Sequence, residues 1–175
     1  MIINPWHDIK PGALAPTRVN AIIEISQGSK AKYEIDKETG LLSLDRILFS
    51  DLGYPANYGF VPQTYCDDGD PIDILVMCTQ NLEPHCLTEV TVLGAIKMID
   101  NGEHDDKIIG IVSNDPYLQH LKTLEDIPKQ DLDTMLLFFE TYKKNIKVQG
   151  VLHQSEAYNL ITKSIQDYIN KFGSK

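Results

Sequence analysis

The 175-residue sequence has few cysteines and no long apolar run. Its three cysteines, Cys66, Cys78 and Cys86, form no Cys-x-x-Cys pair, and their odd number argues against a disulfide framework. The scattered histidines and cysteines also lack the ligand spacing of zinc sites. No stretch approaches the roughly 20 apolar residues of a membrane span, and residues 1–16 lack the basic and apolar regions of a signal peptide. These absences predict a cytoplasmic protein with reduced thiols and no membrane partner.

Positive charge is scarce as well. The chain has 16 Lys and Arg against 25 Asp and Glu, which gives a formal net charge of -9. The acids concentrate between Tyr65 and Asp106, where Lys97 is the one lysine or arginine. Such a face repels nucleic-acid phosphates, so we expect no nucleic-acid partner. It can bind phosphate only through intervening cations.

The hydrophobic pattern predicts one domain, residues 1–175, with strands first and helices last. Alternating or β-rich runs predict strands at residues 19–26, 32–37, 41–49, 72–78, 90–99 and 107–112. Apolar residues at helical spacing predict a helix over 128–144, with Pro128 in its first turn, and a second from Ser155, as its N-cap, to Phe172. Short strands separated by turns indicate an antiparallel barrel or meander. The predicted fold is therefore α+β, a small antiparallel β-barrel with two flanking helices.

The segment Asp68-Gly69-Asp70-Pro71-Ile72-Asp73 is the strongest local signal. In an extended chain Asp68 and Asp70 would share a face, while Asp73 opens an apolar strand, where a carboxylate is costly to bury unless it is paired. A divalent cation such as Mg²⁺ would pair it. A plain Asp-Gly loop is the alternative, but it leaves the third carboxylate unexplained. An EF-hand fails on register, because Asp73 falls where glycine is required and Thr79 where glutamate is required.

A second acidic segment, residues 100–107, lies between two predicted strands. Alone it is typical of a hydrophilic hairpin loop; beside the first segment it could complete a site for several ions, which suits phosphoryl chemistry. Bases and phenols that could bind phosphate flank the apolar elements. They are Lys32, Arg46, Lys107, Lys143, Tyr54, Tyr58 and Tyr142.

Taken in order, these motifs resemble the family I soluble inorganic pyrophosphatases of prokaryotic type. The resemblance extends from about Glu24 to Lys143. It is carried by IEI, KYEIDKETG, LDR, YPANYGF, DGDPID, KMID followed by DDK, and FFETYK. It implies an OB-like barrel of about five strands and hydrolysis of diphosphate to two orthophosphates, with a metal-bound water activated as nucleophile. Members of this size are typically hexamers, so the resemblance implies a homohexamer.

The resemblance also implies a role for each matching residue. Asp70 is the general base. The metal ligands are Asp68, Asp73, Asp100, Asp105 and, through water, Glu24, and they hold several Mg²⁺ ions, for which Mn²⁺ or other divalent ions could substitute. The substrate-binding residues are Lys32, Arg46, Tyr58, Lys107, Tyr142 and Lys143, supported by Glu34 and Tyr54. Asp105 is preferred to Asp106 on its offset from Lys107. The chain departs from the family at Val151, where a tryptophan is common.

Two other interpretations are weighed against this one. The first keeps the multi-metal site but takes a nucleotide or other phosphate ester as substrate. The second treats the barrel as a non-enzymatic OB-type module for nucleic acid or protein, which would ordinarily show a basic groove with aromatic platforms. This chain instead concentrates acids where its strands turn.

Overall fold

A computed structural model describes residues 3–174. Among these residues, nine strands and three α-helices form the regular structure. The strands are β1 (Arg18–Ile25), β2 (Ala31–Ile35), β3 (Leu42–Ile47), β4 (Asn57–Phe60), β5 (Asp73–Met77), β6 (Leu87–Asp100), β7 (Glu103–His104), β8 (Lys107–Val112) and β9 (Ile146–Leu152). The helices are α1 (Pro5–Asp8), α2 (Lys129–Thr141) and α3 (Gln154–Phe172), and Leu124–Asp126 forms a 3₁₀ turn.

Five strands close into a ring in the order β1, β4, β5, β8, β6 and back to β1. The α+β fold class is confirmed, although the predicted sheet was antiparallel throughout. All pairings around the ring are antiparallel except that of β5 with β8, which is parallel. The long strand β6 also pairs with β7 and β9. Register shifts in β1 and β6 mark bulges, which bend strands enough to let a small sheet close.

Successive residues of β5 are buried on opposite faces of the sheet. Leu75 packs in a core cluster with Phe138 and Phe139 of α2. Its neighbours Ile74 and Val76 pack in a second cluster, which includes Ala157 and Ile161 of α3. Because both faces of the strand are covered, its sequence is a continuous apolar run rather than an alternating one.

Gly59 allows β1 and β4 to approach closely. A Cβ added to Gly59 would lie 1.8 Å from the carbonyl oxygen of Ile22, far inside van der Waals contact. Only glycine fits this strand position, which is in the YPANYGF segment next to Tyr58.

The observed elements differ from the sequence prediction in a few places. The strands β4 and β9 were not predicted from periodicity. The predicted N-cap at Ser155 is wrong, because α3 begins at Gln154 and its N-cap is His153, whose backbone N–H donates to the carboxylate of Glu156. Serine was predicted because it is frequent at N-caps. Here the side chain of Glu156, three residues beyond His153, accepts the hydrogen bond of the N-cap backbone N–H.

The hairpin of β2 and β3 lies outside the ring as a separate two-stranded sheet. It exposes large apolar side chains, including Leu44 and Ile47, and Phe49 just beyond it is fully exposed. Within residues 3–174, no helix is both long enough and apolar enough to cross a membrane.

Candidate active site

A cavity of about 240 Å³ opens at one end of the ring. Its walls come from the N-terminal segment, β1, β2, β4, the loop before β5, the adjacent ends of β5, β6 and β8, and the residues that follow α2. All the predicted site residues except Arg46 and Tyr54 line this cavity. The lining residues among them are Glu24, Lys32, Glu34, Tyr58, Asp68, Asp70, Asp73, Asp100, Asp105, Lys107, Tyr142 and Lys143.

Lys107 sits at the centre of the acidic wall. It lies directly opposite Asp73 in the parallel pairing of β5 and β8, and its Nζ donates to Asp73 Oδ2 at 2.5 Å and to Asp105 Oδ1 at 2.9 Å. Its side chain is only 3% exposed. Burial acts to lower the pKa of Lys107, but the charges of Asp73 and Asp105 outweigh it and raise the pKa above its ordinary value. The lysine is therefore a permanent buried cation.

The loop that carries Asp68 and Asp70 is a turn rather than an extended segment. Asp68 Oδ1 accepts a hydrogen bond from the backbone N–H of Asp70 at 3.0 Å. The sequence predicted that Asp68 and Asp70 share a face because the chain is extended. In the structure both line the cavity, but a turn places them there. Burial, together with the charge of Asp70, raises the pKa of Asp68 to about 6.

Asp100 and Asp105 enter the cavity from the β6–β8 connection. Asp100 Oδ2 pairs with Lys143 Nζ, and within the described chain its buried Oδ1 has no hydrogen-bond partner. Asp105 pairs with Lys107, whereas the neighbouring Asp106 accepts a hydrogen bond from the backbone of Met98 and lines a separate, adjacent cavity of about 350 Å³. The geometry thus places Asp105, and not Asp106, in the candidate site.

Glu24 forms the buried floor of the cavity on β1. Its Oε1 accepts a hydrogen bond from the backbone N–H of Ile35 at 2.8 Å. Burial raises the pKa of Glu24 to about 8, although that hydrogen bond works in the opposite direction. An acid held in this way is costly to ionise until a cation reaches it.

The cationic and phenolic wall is built by the β2–β3 hairpin and the end of α2. Lys32 Nζ contacts Glu34 Oε1 at 2.5 Å and Asp45 Oδ2 at 2.8 Å. Arg46 pairs with Lys32 across the hairpin, but its side chain is 54% exposed and lies outside the cavity lining. Tyr54 is buried beneath the site, with its ring centroid 5.1 Å from that of Tyr58.

Four of the predicted acids, Asp70, Asp73, Asp100 and Asp105, are each paired with a lysine. Among residues 3–174, no three His, Cys, Asp or Glu side chains are close enough to share a metal ion. The donor set nevertheless suits a hard divalent cation, because every predicted ligand offers carboxylate oxygen. The unpartnered Oδ1 of Asp100 is a buried acceptor that such an ion would satisfy.

The cavity lining also includes Asn4, Trp6 and Lys37, which sequence reasoning did not predict. Lys37 lies in the turn beyond β2, which ends at Ile35, so strand alternation does not assign it to the site. No local signal could have identified Asn4 and Trp6. They reach the site only because the N-terminal segment folds back against the ring.

Known proteins with the same architecture identify the family. The model of the inorganic pyrophosphatase family matches residues 21–169. A soluble inorganic pyrophosphatase of Oryza sativa subsp. indica is 44% identical over 94% of this chain and 79% of its own length. Soluble inorganic pyrophosphatase 5 of Arabidopsis thaliana is 45% identical over 94% of this chain and 78% of its own length.

The fold agrees with solved structures of that family. The inorganic pyrophosphatase of Thermus thermophilus superposes with a TM-score of 0.92 and 36% identity, covering 95% of this chain and 99% of the other. Sequence, fold and the clustering of the motif residues lead to one conclusion. The chain belongs to the family I inorganic pyrophosphatases, and this membership supports diphosphate hydrolysis as its activity.

Proposed function

We propose that the protein hydrolyses inorganic diphosphate to two orthophosphates with the help of several Mg²⁺ ions. The observation that carries this proposal is one small cavity lined by carboxylates and, among them, by lysines and phenols. A diphosphate bridged by divalent cations has both kinds of surface: metal ions that need carboxylates, and phosphate oxygens that need lysines and phenols.

Asp68, Asp73, Asp100 and Asp105 would hold the Mg²⁺ ions directly, and Glu24 would hold one through water. The oxygen-only donor set and the unpartnered Asp100 Oδ1 support this assignment. When bound, such ions lower the pKa of a coordinated water and neutralise charge on phosphate oxygens.

The bases and phenols of the cavity would orient the substrate. Lys32, Lys107 and Lys143 would donate to phosphate oxygens. The hydroxyls of Tyr58 and Tyr142 would add neutral donors, and burial, which raises the pKa of both phenols, keeps them protonated. Arg46 would approach from the rim. Such fixed donors stabilise the transition state most where negative charge builds up on the departing phosphate.

Asp70 would act as the general base. In this step the oxygen of the attacking water forms a bond to one phosphorus, and Asp70 takes a proton from that water. The bond from that phosphorus to the bridging oxygen breaks, and its electron pair leaves with the second phosphate. Glu34 and Tyr54 would act indirectly, Glu34 by fixing Lys32 and Tyr54 by packing beneath Tyr58.

An orthophosphate-release assay tests the proposal. With Mg²⁺ and diphosphate we expect turnover that EDTA abolishes, and Ca²⁺ in place of Mg²⁺ should lower the rate, because Ca²⁺ is larger and accepts looser coordination. ATP in place of diphosphate tests the phosphate-ester interpretation. Equal or faster phosphate release from ATP would overturn the choice of substrate.

We also propose a homohexamer located in the cytoplasm. The exposed apolar side chains of Leu44, Ile47 and Phe49, which are close in sequence, support self-association, because exposed apolar surface is typical of subunit contacts. Sedimentation velocity of the purified protein would give the assembly mass, and a monomer at micromolar concentration would contradict the hexamer.

A further inference from the structure

We propose that Lys37 positions the carboxylate of Asp70 for catalysis, and that Trp6 in turn holds Lys37 in place. The inference rests on the proposed role of Asp70 as general base. Lys37 would not touch the substrate, so it is a positioning residue that acts through Asp70.

The first observation is an ion pair inside the cavity. Lys37 Nζ donates to Asp70 Oδ1, and among residues 3–174 Lys37 is the one base paired with that carboxylate. The two side chains are 41% and 55% exposed. A pair this exposed contributes little to stability, so its importance would lie in geometry rather than in folding.

The second observation is that Lys37 has its own anchor. Its Nζ lies 5.1 Å from the centroid of the Trp6 ring, within the range of a cation–π interaction. Its backbone carbonyl accepts a hydrogen bond of 2.7 Å from the side-chain amide of Asn4. A long, flexible side chain is thus fixed at both its backbone and its tip.

The third observation is that Trp6 is itself rigidly held. The ring is buried, stacked on His7 with centroids 4.5 Å apart, and in edge contact with Phe172 of α3 at 5.4 Å. Its indole N–H donates to the carbonyl oxygen of Thr64 at 2.9 Å. A platform of this kind can fix the direction from which the ammonium group of Lys37 approaches.

The Asp70 loop is tied to the same point. Thr64, whose carbonyl binds Trp6, also uses its hydroxyl oxygen to accept a hydrogen bond of 3.0 Å from the backbone N–H of Ile72. The backbone carbonyl of Asp70 accepts one of 2.8 Å from Cys66. Thr64 therefore anchors both the Trp6 ring, which holds Lys37, and the loop that carries Asp70.

This shared anchor matters because proton transfer requires accurate placement of the Asp70 carboxylate. A general base must lie about 2.6–3.2 Å from the proton-bearing atom, and a misplacement of about 1 Å can cost on the order of 10²-fold in rate. Asp70 is exposed and sits in a turn, so its carboxylate can rotate. Lys37 holds one of its oxygens and leaves the other for the attacking water.

Steady-state kinetics with Mg²⁺ and diphosphate test the proposal. We expect Lys37→Met to lower kcat about 10-fold, with KM within about twofold of wild type. Lys37→Arg, which keeps the charge, should restore kcat to within about threefold. Lys30→Met is the matched control, because Lys30 is an exposed lysine on the same segment that does not line the cavity, and it should leave both constants unchanged.

A double-mutant cycle with Asp70→Asn separates action through Asp70 from direct action on substrate. If Lys37 acts only through Asp70, Lys37→Met should have almost no effect on kcat when Asp70 is already replaced. The same loss of rate in both backgrounds would overturn the proposal. An equal kcat for wild type and Lys37→Met would also overturn it.

Fluorescence gives a readout that does not depend on turnover. Trp6 is the single tryptophan of the chain, and its emission senses the ammonium group above its ring. Lys37→Met should change the emission of the protein without substrate, and Asp70→Asn should change it only when Lys37 is present. Absence of both changes would overturn the arrangement. If the arrangement passes this test but Asp70→Asn is fully active, the proposed base has failed while the Trp6–Lys37–Asp70 contact stands.

Discussion

Lys107 and Asp73 lie opposite each other on two parallel strands and form a nearly buried ion pair of 2.5 Å, with Asp105 as the second partner of the lysine. The side chains of Asp73 and Asp105 are 27% and 16% exposed. The lysine therefore does for these carboxylates what a metal ion would also do. It compensates negative charge where little water is available.

Replacing Lys107 should therefore make folding depend on divalent cations. We expect Lys107→Met to lower the free energy of unfolding in EDTA by about 1–3 kcal/mol, less than the ~3–5 typical of a fully buried pair because water reaches the acids. Added Mg²⁺ should restore more stability to the variant than to wild type, because the ion binds the folded form and replaces the lost charge. Urea unfolding with EDTA and with Mg²⁺ measures both.

The matched control for this change is Lys129→Met. Lys129 also contacts a carboxylate, Asp133, at 2.7 Å, but its side chain is 90% exposed, so we expect less than about 0.5 kcal/mol. An equal loss for Lys107→Met with and without Mg²⁺ would contradict the interpretation that the lysine and the ion compensate the same acids.

Glu24 should make the protein without metal less stable as the pH rises. Its pKa is about 8 in the folded chain against 4.5 when exposed, so between these values the folded state keeps a proton that the unfolded state has lost. The free energy of unfolding then falls as pH rises from about 5 to about 8. We expect Glu24→Gln, which stays neutral, to be about as stable as wild type at pH 5 and more stable at pH 8, by an amount on the order of a few kcal/mol.

Urea unfolding in EDTA at several pH values measures this difference. Glu89→Gln serves as the control, since Glu89 is a surface acid paired with Arg18 at 3.4 Å. A gain for Glu24→Gln that is the same at pH 5 and pH 8 would show that burial of charge on Glu24 is not its cause.

Asp70 should matter for turnover far more than for metal binding. Since the proposed role of Asp70 is to take a proton in the chemical step, we expect Asp70→Asn to lower kcat by about 10²–10⁴-fold. Its Mg²⁺ affinity should stay within about twofold of wild type, since the acids around Lys107 and Lys143 are untouched. Phosphate release and calorimetric titration with Mg²⁺ provide the two measurements. Asp67→Asn, an exposed acid of the same loop, is the control. Turnover within about threefold of wild type would remove Asp70 from the mechanism.

The sequence predicted the acids of the site better than the contacts among them. Asp68, Asp70 and Asp73 were predicted from one short segment, because a carboxylate at the start of an apolar strand calls for a partner. That the partner in this structure is Lys107 follows from the parallel pairing of β5 with β8, a long-range register that local periodicity does not contain.

The same limit applies to the fold. Strand 107–112 was predicted with its observed bounds because its apolar run is bordered by the acidic loop. Strand β4 was missed because it has four residues, one of them Gly59, and glycine is unfavourable in strands unless another backbone approaches closely. Trp6 and Asn4 were missed because chain folding, and not local pattern, brings them to the cavity.

Arg46 is a predicted substrate-binding residue that lies outside the cavity. It lies on the exposed edge of the β2–β3 hairpin, paired with Asp45 at 3.1 Å, and outside the cavity lining. We expect a base at the rim of the cavity to contribute more to substrate binding than a base buried inside the cavity does. We therefore expect Arg46→Met to raise KM for diphosphate about 10-fold and to lower kcat as well, because charge on the leaving phosphate grows in the transition state. Arg18→Met, which removes another half-exposed arginine paired with an acid, should leave both constants unchanged. Kinetic constants for Arg46→Met equal to those of Arg18→Met would show that Arg46 does not contact the substrate.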